Sequence, residues 1–399
     1  MPAVDGRQHP GTDRRLKILV IGAGLGGLTA AIALRQRGFA VEVHEAATTL
    51  GEVGAGLTLG RGAQSVFRAL GLQAAVAARA CPAGALPFVH YRTARLLIGG
   101  FDAGDGTPDD GVADIVRHIY RADLQAVLLA ALGALGVGVA TGHALVAVED
   151  GADRVTARFA DGSTAHGDAL VGADGVRSAV RELLWPRDAP RFTDHVAYRF
   201  LVPAAAAAPF MGLGRSVIFM GPRRTFNRYT MCGGSVVNCA GIVETGEWAG
   251  EGWSIPATRN EMLAAFAGWH PDVTGLIGCA ASSIKWGLYD RAVLPRWSRG
   301  RVTLLGDAAH AMLPFLGMGA AMAIEDGWAL AAAFARDAAV EAAFARYEAA
   351  RGPRTALLHA KSIIQGKVTQ SLDPDTFDGA SAPVGDPAIM AYDPVAAGV

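Results

Sequence analysis

Gly22, Gly24 and Gly27 form a G-x-G-x-x-G pattern directly after an apolar run, and Glu45 follows 18 residues after the last of them. Between a strand and a helix this spacing has a definite chemical use. Gly22 lets the chain turn tightly, Gly24 lets bare backbone approach a pyrophosphate at the helix N-terminus, and Gly27 lets helix and strand pack closely. Leu25 and Gly26 complete the turn. Glu45, followed by Ala46, stands where an acid accepts hydrogen bonds from the adenosine ribose hydroxyls. The ligand expected is a dinucleotide. FAD and NAD share the same adenosine and pyrophosphate, so this motif alone does not choose between them.

Two further acids, Asp174 in "ALVGADGVRSAVR" and Asp307 in "RVTLLGDAAHAMLPFLGMGAAMAIEDG", each follow an apolar strand pattern. Taken singly, such an Asp commonly does no more than cap or turn the chain. Together with the glycine motif, in this order, the stretches resemble the single-component (group A) FAD-dependent aromatic hydroxylases. "GEVGAGLTLG", "HIYRADLQAVL" and "YDPVAA" resemble the salicylate hydroxylase-like branch, which includes 6-hydroxynicotinate and 3-hydroxybenzoate hydroxylases. The resemblance runs from Lys17 over nearly the whole chain. It implies an α/β fold: a Rossmann-like FAD-binding domain, an inserted α+β substrate domain with a mixed or antiparallel sheet, and C-terminal helices.

Carried over by position, the resemblance implies that Asp307 bonds the ribityl chain of FAD and that Arg121 lies near flavin and pyrophosphate. Asp174 falls in the segment used for FAD pyrophosphate and NAD(P)H, and Thr58 lies along the cofactor. Gly317, Met318, Gly319 and Ala320 aim helix-terminal amides at the pyrimidine end of the isoalloxazine, where a helix N-terminus favours negative charge. Pro314 and Phe315 line the substrate pocket. Tyr229 and Thr225, alternate residues on one face of the strand pattern in "GPRRTFNRYTMCGG", are candidates for orienting substrate, and His310 is a further candidate. Arg199, Arg215, Arg223 and Arg228 are candidates to attract a carboxylate. No strong general base is visible in this set.

The implied chemistry is hydroxylation, with or without decarboxylation, of a phenolic or heteroaromatic acid such as a salicylate-like compound. NADH or NADPH and O2 are the co-substrates and a flavin hydroperoxide is the oxygen donor. A monooxygenase or epoxidase of a larger or less polar natural product remains an alternative. So does a different class, an NAD-dependent dehydrogenase or a non-catalytic FAD-binding protein. No metal is expected.

The elements that must hold these residues follow from periodicity. "KILVIGAG" reads as a buried strand, the alanine-rich stretch to Arg37 as a helix and "AVEVHE" as a second strand. Residues 17–80, 95–180 and 291–337 read as the FAD-binding domain, and 81–94 with 181–290, including one helix near Arg259 to Gly268, as the substrate domain. C-terminal helices occupy 338–370, a wrapped or mobile tail 371–399, and a flexible N-terminus 1–16.

Lys and Arg (36) nearly balance Asp and Glu (37), which leaves no basic field for nucleic acid or an anionic membrane. The four cysteines form no C-x-x-C pair and read as free thiols of a reducing compartment. The N-terminus carries no apolar signal region, and the longest apolar run, Ala311 to Ile324, contains Pro314 and ends at Glu325 and Asp326, too short to span a bilayer. A cytoplasmic enzyme with a small aromatic substrate is expected. A homodimer is possible on the resemblance alone.

Overall fold

A computed structural model describes residues 16–51, 56–99, 116–186, 188–246, 248, 255–377, 382–383 and 386–399. The N-terminal stretch read as flexible lies, but for Leu16, outside the described residues.

Lys17–Ile21, the helix Leu25–Gln36 and Ala40–Glu45 form the expected βαβ unit, with the two strands parallel. Around it stands a six-stranded sheet in the order Ser298–Arg299, Val302–Leu304, Ala169–Gly172, Lys17–Ile21, Ala40–Glu45 and Val139–Thr141. Its strands come from three separated stretches of chain. Leu25 to Leu34 are buried without interruption, because the helix is wedged between the sheet and the later helix Gly319–Arg336. Only small residues permit that approach. A Cβ on Gly327 would sit 2.7 Å from the Ala30 nitrogen.

The second sheet has eight strands: Ile255–Pro256, Ser283–Asp290, Arg191–Pro203, Val236–Glu244, Arg224–Met231, Ser216–Gly221, Phe88–His90 and Leu96–Ile98. All neighbours are antiparallel except Ser216–Gly221 with Phe88–His90. One face carries Phe200, Phe226 and Val237, packed under two short helices, and the other looks towards the first sheet.

Three features differ from the reading of the sequence. Leu96–Ile98 pairs with Phe88–His90, so the second sheet extends past residue 94. The helix Ala179–Leu184 packs on the first sheet, with Arg181 buried against the Ala308 and Ala309 carbonyls, so the second sheet begins near Arg191 rather than 181. The helix expected near Arg259 to Gly268 stands at Arg259–Ala265, and a second helix, Pro271–Gly278, follows it where none was expected. Gly268, at a φ of +75°, follows the first and Pro271 opens the second.

The helix Val340–Thr369 spans both sheets. Beyond it the tail forms short turns that bury Ile389 and Pro394 against the body. Among the described residues, no helix is long and apolar enough to cross a membrane.

Candidate functional site

The glycine turn is shaped by backbone approach. Gly22 has a φ of +107° and donates its amide to the His44 carbonyl, and a Cβ there would lie 2.3 Å from the Ala173 oxygen. A Cβ on Gly27 would lie 2.1 Å from the Gly22 oxygen, and one on Gly26 would strike Leu305 and Ala323. Gly24 is different: a Cβ would meet nothing within 4 Å. It caps the helix N-terminus without a side chain, leaving open space in front of free amides.

Glu45 closes this turn. Its carboxylate accepts from the Ala23 amide at 2.8 Å and the Ala47 amide at 2.9 Å, with lone pairs left for a ligand. Buried Gln125, which the sequence did not single out, donates to the Ala23 carbonyl and ties the helix Arg121–Ala134 to the same turn. Asp174, half-buried, accepts from Ser178 Oγ at 2.5 Å and the Val180 amide at 3.1 Å. Burial raises its pKa, opposed by those bonds. Both oxygens shape the loop after the Ala169–Gly172 strand.

Asp307 begins the short helix Asp307–His310 after Gly306, whose φ is +64°. Its carboxylate is exposed and makes no hydrogen bond or ion pair among the described residues, and a Cβ on Gly319 would sit 3.9 Å from Asp307 Oδ1. It therefore faces the start of the helix Gly319–Arg336, where Gly317 is left-handed and Met318 provides no side-chain cap. Ala320 follows in the first turn. An acid, uncapped amides and exposed backbone meet at one spot.

His310 is held elsewhere. Its Nε2 lies 2.6 Å from Asp326 Oδ2 in the core, and Asp326 also accepts from the Gly306 amide and from Arg351. Burial raises the Asp326 pKa, but His310 and Arg351 outweigh it and leave the carboxyl below its ordinary value. His310 is thus tied, within the core, to the Asp326 carboxylate that also holds the Gly306 amide. Pro314 and Phe315 form the turn before Gly317, and Phe315 meets the His195 ring edge-on at 5.5 Å.

On the facing sheet, Tyr229 stacks on His118 with ring centroids 4.0 Å apart, and burial pushes its pKa up to about 12. Ser216 Oγ gives its proton to the Ala83 carbonyl and so accepts from His118 Nε2, which leaves Nδ1 to accept from Thr58. Burial holds His118 at about 3, a neutral ring. Thr225 spends its hydroxyl proton on the Phe219 carbonyl. No unengaged base stands among these groups.

The four arginines also part ways. Arg215 is exposed, Arg223 lies on the surface beside Glu244, and Arg228 is buried on the opposite face, donating to the Gly214 carbonyl. Arg199 shares the face of Asn227 and lies close enough to Tyr229 and Arg121 to feel both electrostatically. Two open hollows of about 420 and 400 Å³, beside Trp269 and beside Met211, lie on the sheet's other face and touch none of the cofactor candidates.

A family described as an FAD binding domain matches residues 15–362. A 3-amino-4-hydroxybenzoate 2-monooxygenase of Streptomyces platensis is 38% identical over 363 residues, covering 88% of each chain. A 6-hydroxynicotinate 3-monooxygenase of Pseudomonas fluorescens is 33% identical, covering 94% of this chain and 98% of its own. A salicylate hydroxylase in complex with substrate superposes with a TM-score of 0.82 at 26% identity, over 96% of this chain and 97% of that one.

Proposed function

The chain belongs to the single-component FAD-dependent aromatic monooxygenases, and we propose that it hydroxylates a small phenolic or heteroaromatic acid at the expense of NAD(P)H and O2. The observation that supports this reading is the convergence of the open Gly24 helix end, the unpaired Asp307 carboxylate and the uncapped Gly319–Arg336 helix opposite a polar sheet face. These residues fit FAD. Amides at Gly24 to Gly26 would take its pyrophosphate, Glu45 its adenosine ribose, Asp307 its ribityl chain and the Gly317 to Ala320 amides its pyrimidine end. Arg121 and Thr58 would lie along it. Bound there, FAD supplies the electron transfer from NAD(P)H to oxygen that no side chain can perform.

The protein's part is binding, orientation and exclusion of water. Tyr229, neutral at physiological pH, would orient a substrate oxygen by a hydrogen bond. With His118 neutral and internally bonded, and Thr225 committed to backbone, ring activation rests on the substrate's own hydroxyl or amino group. Relatives acting on 3-amino-4-hydroxybenzoate and 6-hydroxynicotinate point to such electron-rich acids. A dependence on reduced nicotinamide supports a cytoplasmic setting for the enzyme.

The test is to follow NADH and NADPH oxidation by the yellow holoenzyme in air, with and without a panel of hydroxylated aromatic acids, and to weigh the products. Stimulation by one acid, with a product that gains one oxygen or exchanges carboxyl for hydroxyl, is the expected result. A protein that neither carries nor takes up FAD would end the proposal.

A further inference from the structure

Arg199, like the fully buried Arg228 on the opposite face of the sheet, has no carboxylate partner among the described residues, but it stands on the face turned towards the first sheet. Arg181, Arg291, Arg351 and Arg354 each hold a carboxylate oxygen within 3.0 Å. Arg199 has no ion pair among the described residues. Its Nε is enclosed without a hydrogen-bond partner, and its contact is the Trp286 ring, 5.4 Å from the guanidinium carbon. Burial lowers its pKa, the Tyr229 hydroxyl opposes that shift and Arg121 adds to it, so no acid answers the charge. A half-buried guanidinium with an enclosed, unpartnered Nε is suited to an anion that arrives with a ligand.

The register shows where that ligand would sit. Ile284, Arg199, Ala240, Asn227 and Ile218 form one row across five strands, on the face turned towards the first sheet. Ala197, two residues before Arg199 on the same face, packs with Leu313 and Phe315 of the turn that leads from Asp307 to Gly319. Arg199 thus looks into the space between the sheet and that turn. Asn227 Oδ1 is also enclosed there without a partner. Amide oxygen and nitrogen are interchangeable by a flip, and the flipped amide offers an N–H donor at this point.

We propose that Arg199, backed by Trp286 and assisted by the Asn227 amide, seats the carboxylate of the aromatic substrate and makes the enzyme selective for acids over their neutral analogues. This rests on the acid-hydroxylase reading above. The guanidinium presents a planar pair of donors matched to a carboxylate, and the Trp286 ring holds that plane by cation–π contact. Tyr229 lies two residue pairs further along the sheet, in the row of Leu201 and Asn238, and so on the same face, so a ring anchored at Arg199 by its carboxylate brings a ring substituent towards the Tyr229 hydroxyl.

The experiment measures dissociation constants from the change in flavin absorbance of the holoenzyme. The probes are 3-amino-4-hydroxybenzoate, 3-hydroxybenzoate and 6-hydroxynicotinate, each against its carboxamide, with wild type, Arg199→Met and Arg199→Lys. FAD content and Tm are recorded for each protein. Wild type is expected to bind at least one acid roughly 10- to 100-fold more tightly than its amide, as befits a hydrogen-bonded charge pair. Arg199→Met should erase that preference while keeping FAD and a Tm at or above wild type, since it removes a half-buried charge that has no ion partner among the described residues. Arg199→Lys should restore part of the preference. Undiminished preference for the acid in Arg199→Met overturns the assignment, as does a wild type indifferent to acid and amide. Loss of FAD from Arg199→Met with acid preference intact after reconstitution would give the arginine to a cofactor phosphate and overturn it too. If no compound of either series perturbs the flavin or speeds NAD(P)H oxidation in wild type, the acid-hydroxylase reading fails, and this assignment falls with it.

Discussion

At the scale of single residues, Asp307 and Glu45 separate ligand binding from folding. Asp307 touches no described partner, so Asp307→Ala is expected to leave the Tm of the apoprotein unchanged and to weaken FAD by about 10-fold or more, the usual worth of a hydrogen bond to a charged group. Glu45 holds two backbone amides of its own protein, so Glu45→Ala should lower both FAD affinity and apoprotein stability. Fluorescence titration of apoprotein with FAD, beside thermal melts, distinguishes the two. His118 makes a pH prediction. Its folded pKa of about 3 lies below the ordinary 6.5, so between those values the unfolded chain binds the extra proton and stability falls as pH falls. The contribution is intact above pH 6.5 and declines below it by at most about 1.4 kcal/mol per pH unit. Urea unfolding between pH 7 and 4 should show that decline, and His118→Asn should flatten it. Tyr229 works in the opposite sense: with its pKa pushed up to about 12, its contribution is present below pH 10 and is lost as pH rises towards 12.

At the scale of elements, the strand, turn and helix around the glycines were legible because every requirement is local: an apolar run, three glycines in register and an acid on the next strand. Their different tasks were not legible, since each is set by a distant neighbour. Gly22 meets Ala173, 151 positions on, while Gly24 meets nothing. Hence Gly24→Val should fold with a near-normal apoprotein melt and fail to retain FAD. Gly22→Ala or Gly27→Ala, which drive a Cβ into a backbone carbonyl, should yield little folded protein at all. Soluble yield, circular dichroism and flavin content decide between these outcomes, and a Gly24→Val protein that keeps its full flavin complement would remove Gly24 from the pyrophosphate site. The strand pattern at 224–231 likewise showed which residues share a face. It did not reveal that Thr225 gives its proton to Phe219 across the hairpin, or that Arg199 two strands away joins Asn227 in one row. Cross-strand register lies outside any local period.

At the scale of the whole molecule, Glu325 and Asp326 looked in the sequence like the polar end of an apolar run, yet both are fully buried. Their partners come from the far helix Val340–Thr369. Arg351 binds both carboxylates, Arg354 binds Glu325, and Arg354 lies 3.8 Å from the Tyr392 ring while donating to the Ala388 and Ile389 carbonyls. Burial pulls the Arg351 guanidinium down, but Asp326 and Glu325 outweigh it and hold it above its ordinary value. Asp326 in turn holds the Gly306 amide beside Asp307, so one ionic cluster joins the C-terminal tail to the proposed ribityl contact. Arg351→Met leaves two buried carboxylates short of a cation and is expected to cost about 3 to 5 kcal/mol in urea unfolding. Truncation after residue 386 keeps the ions but uncovers them to water, which should cost less stability. It should still weaken FAD by loosening the Asp326 tether on Gly306. A truncated protein that melts lower and binds FAD as tightly as the full chain would confine the cluster to holding helices together; parallel losses of stability and FAD affinity would make the tail a working part of the cofactor site.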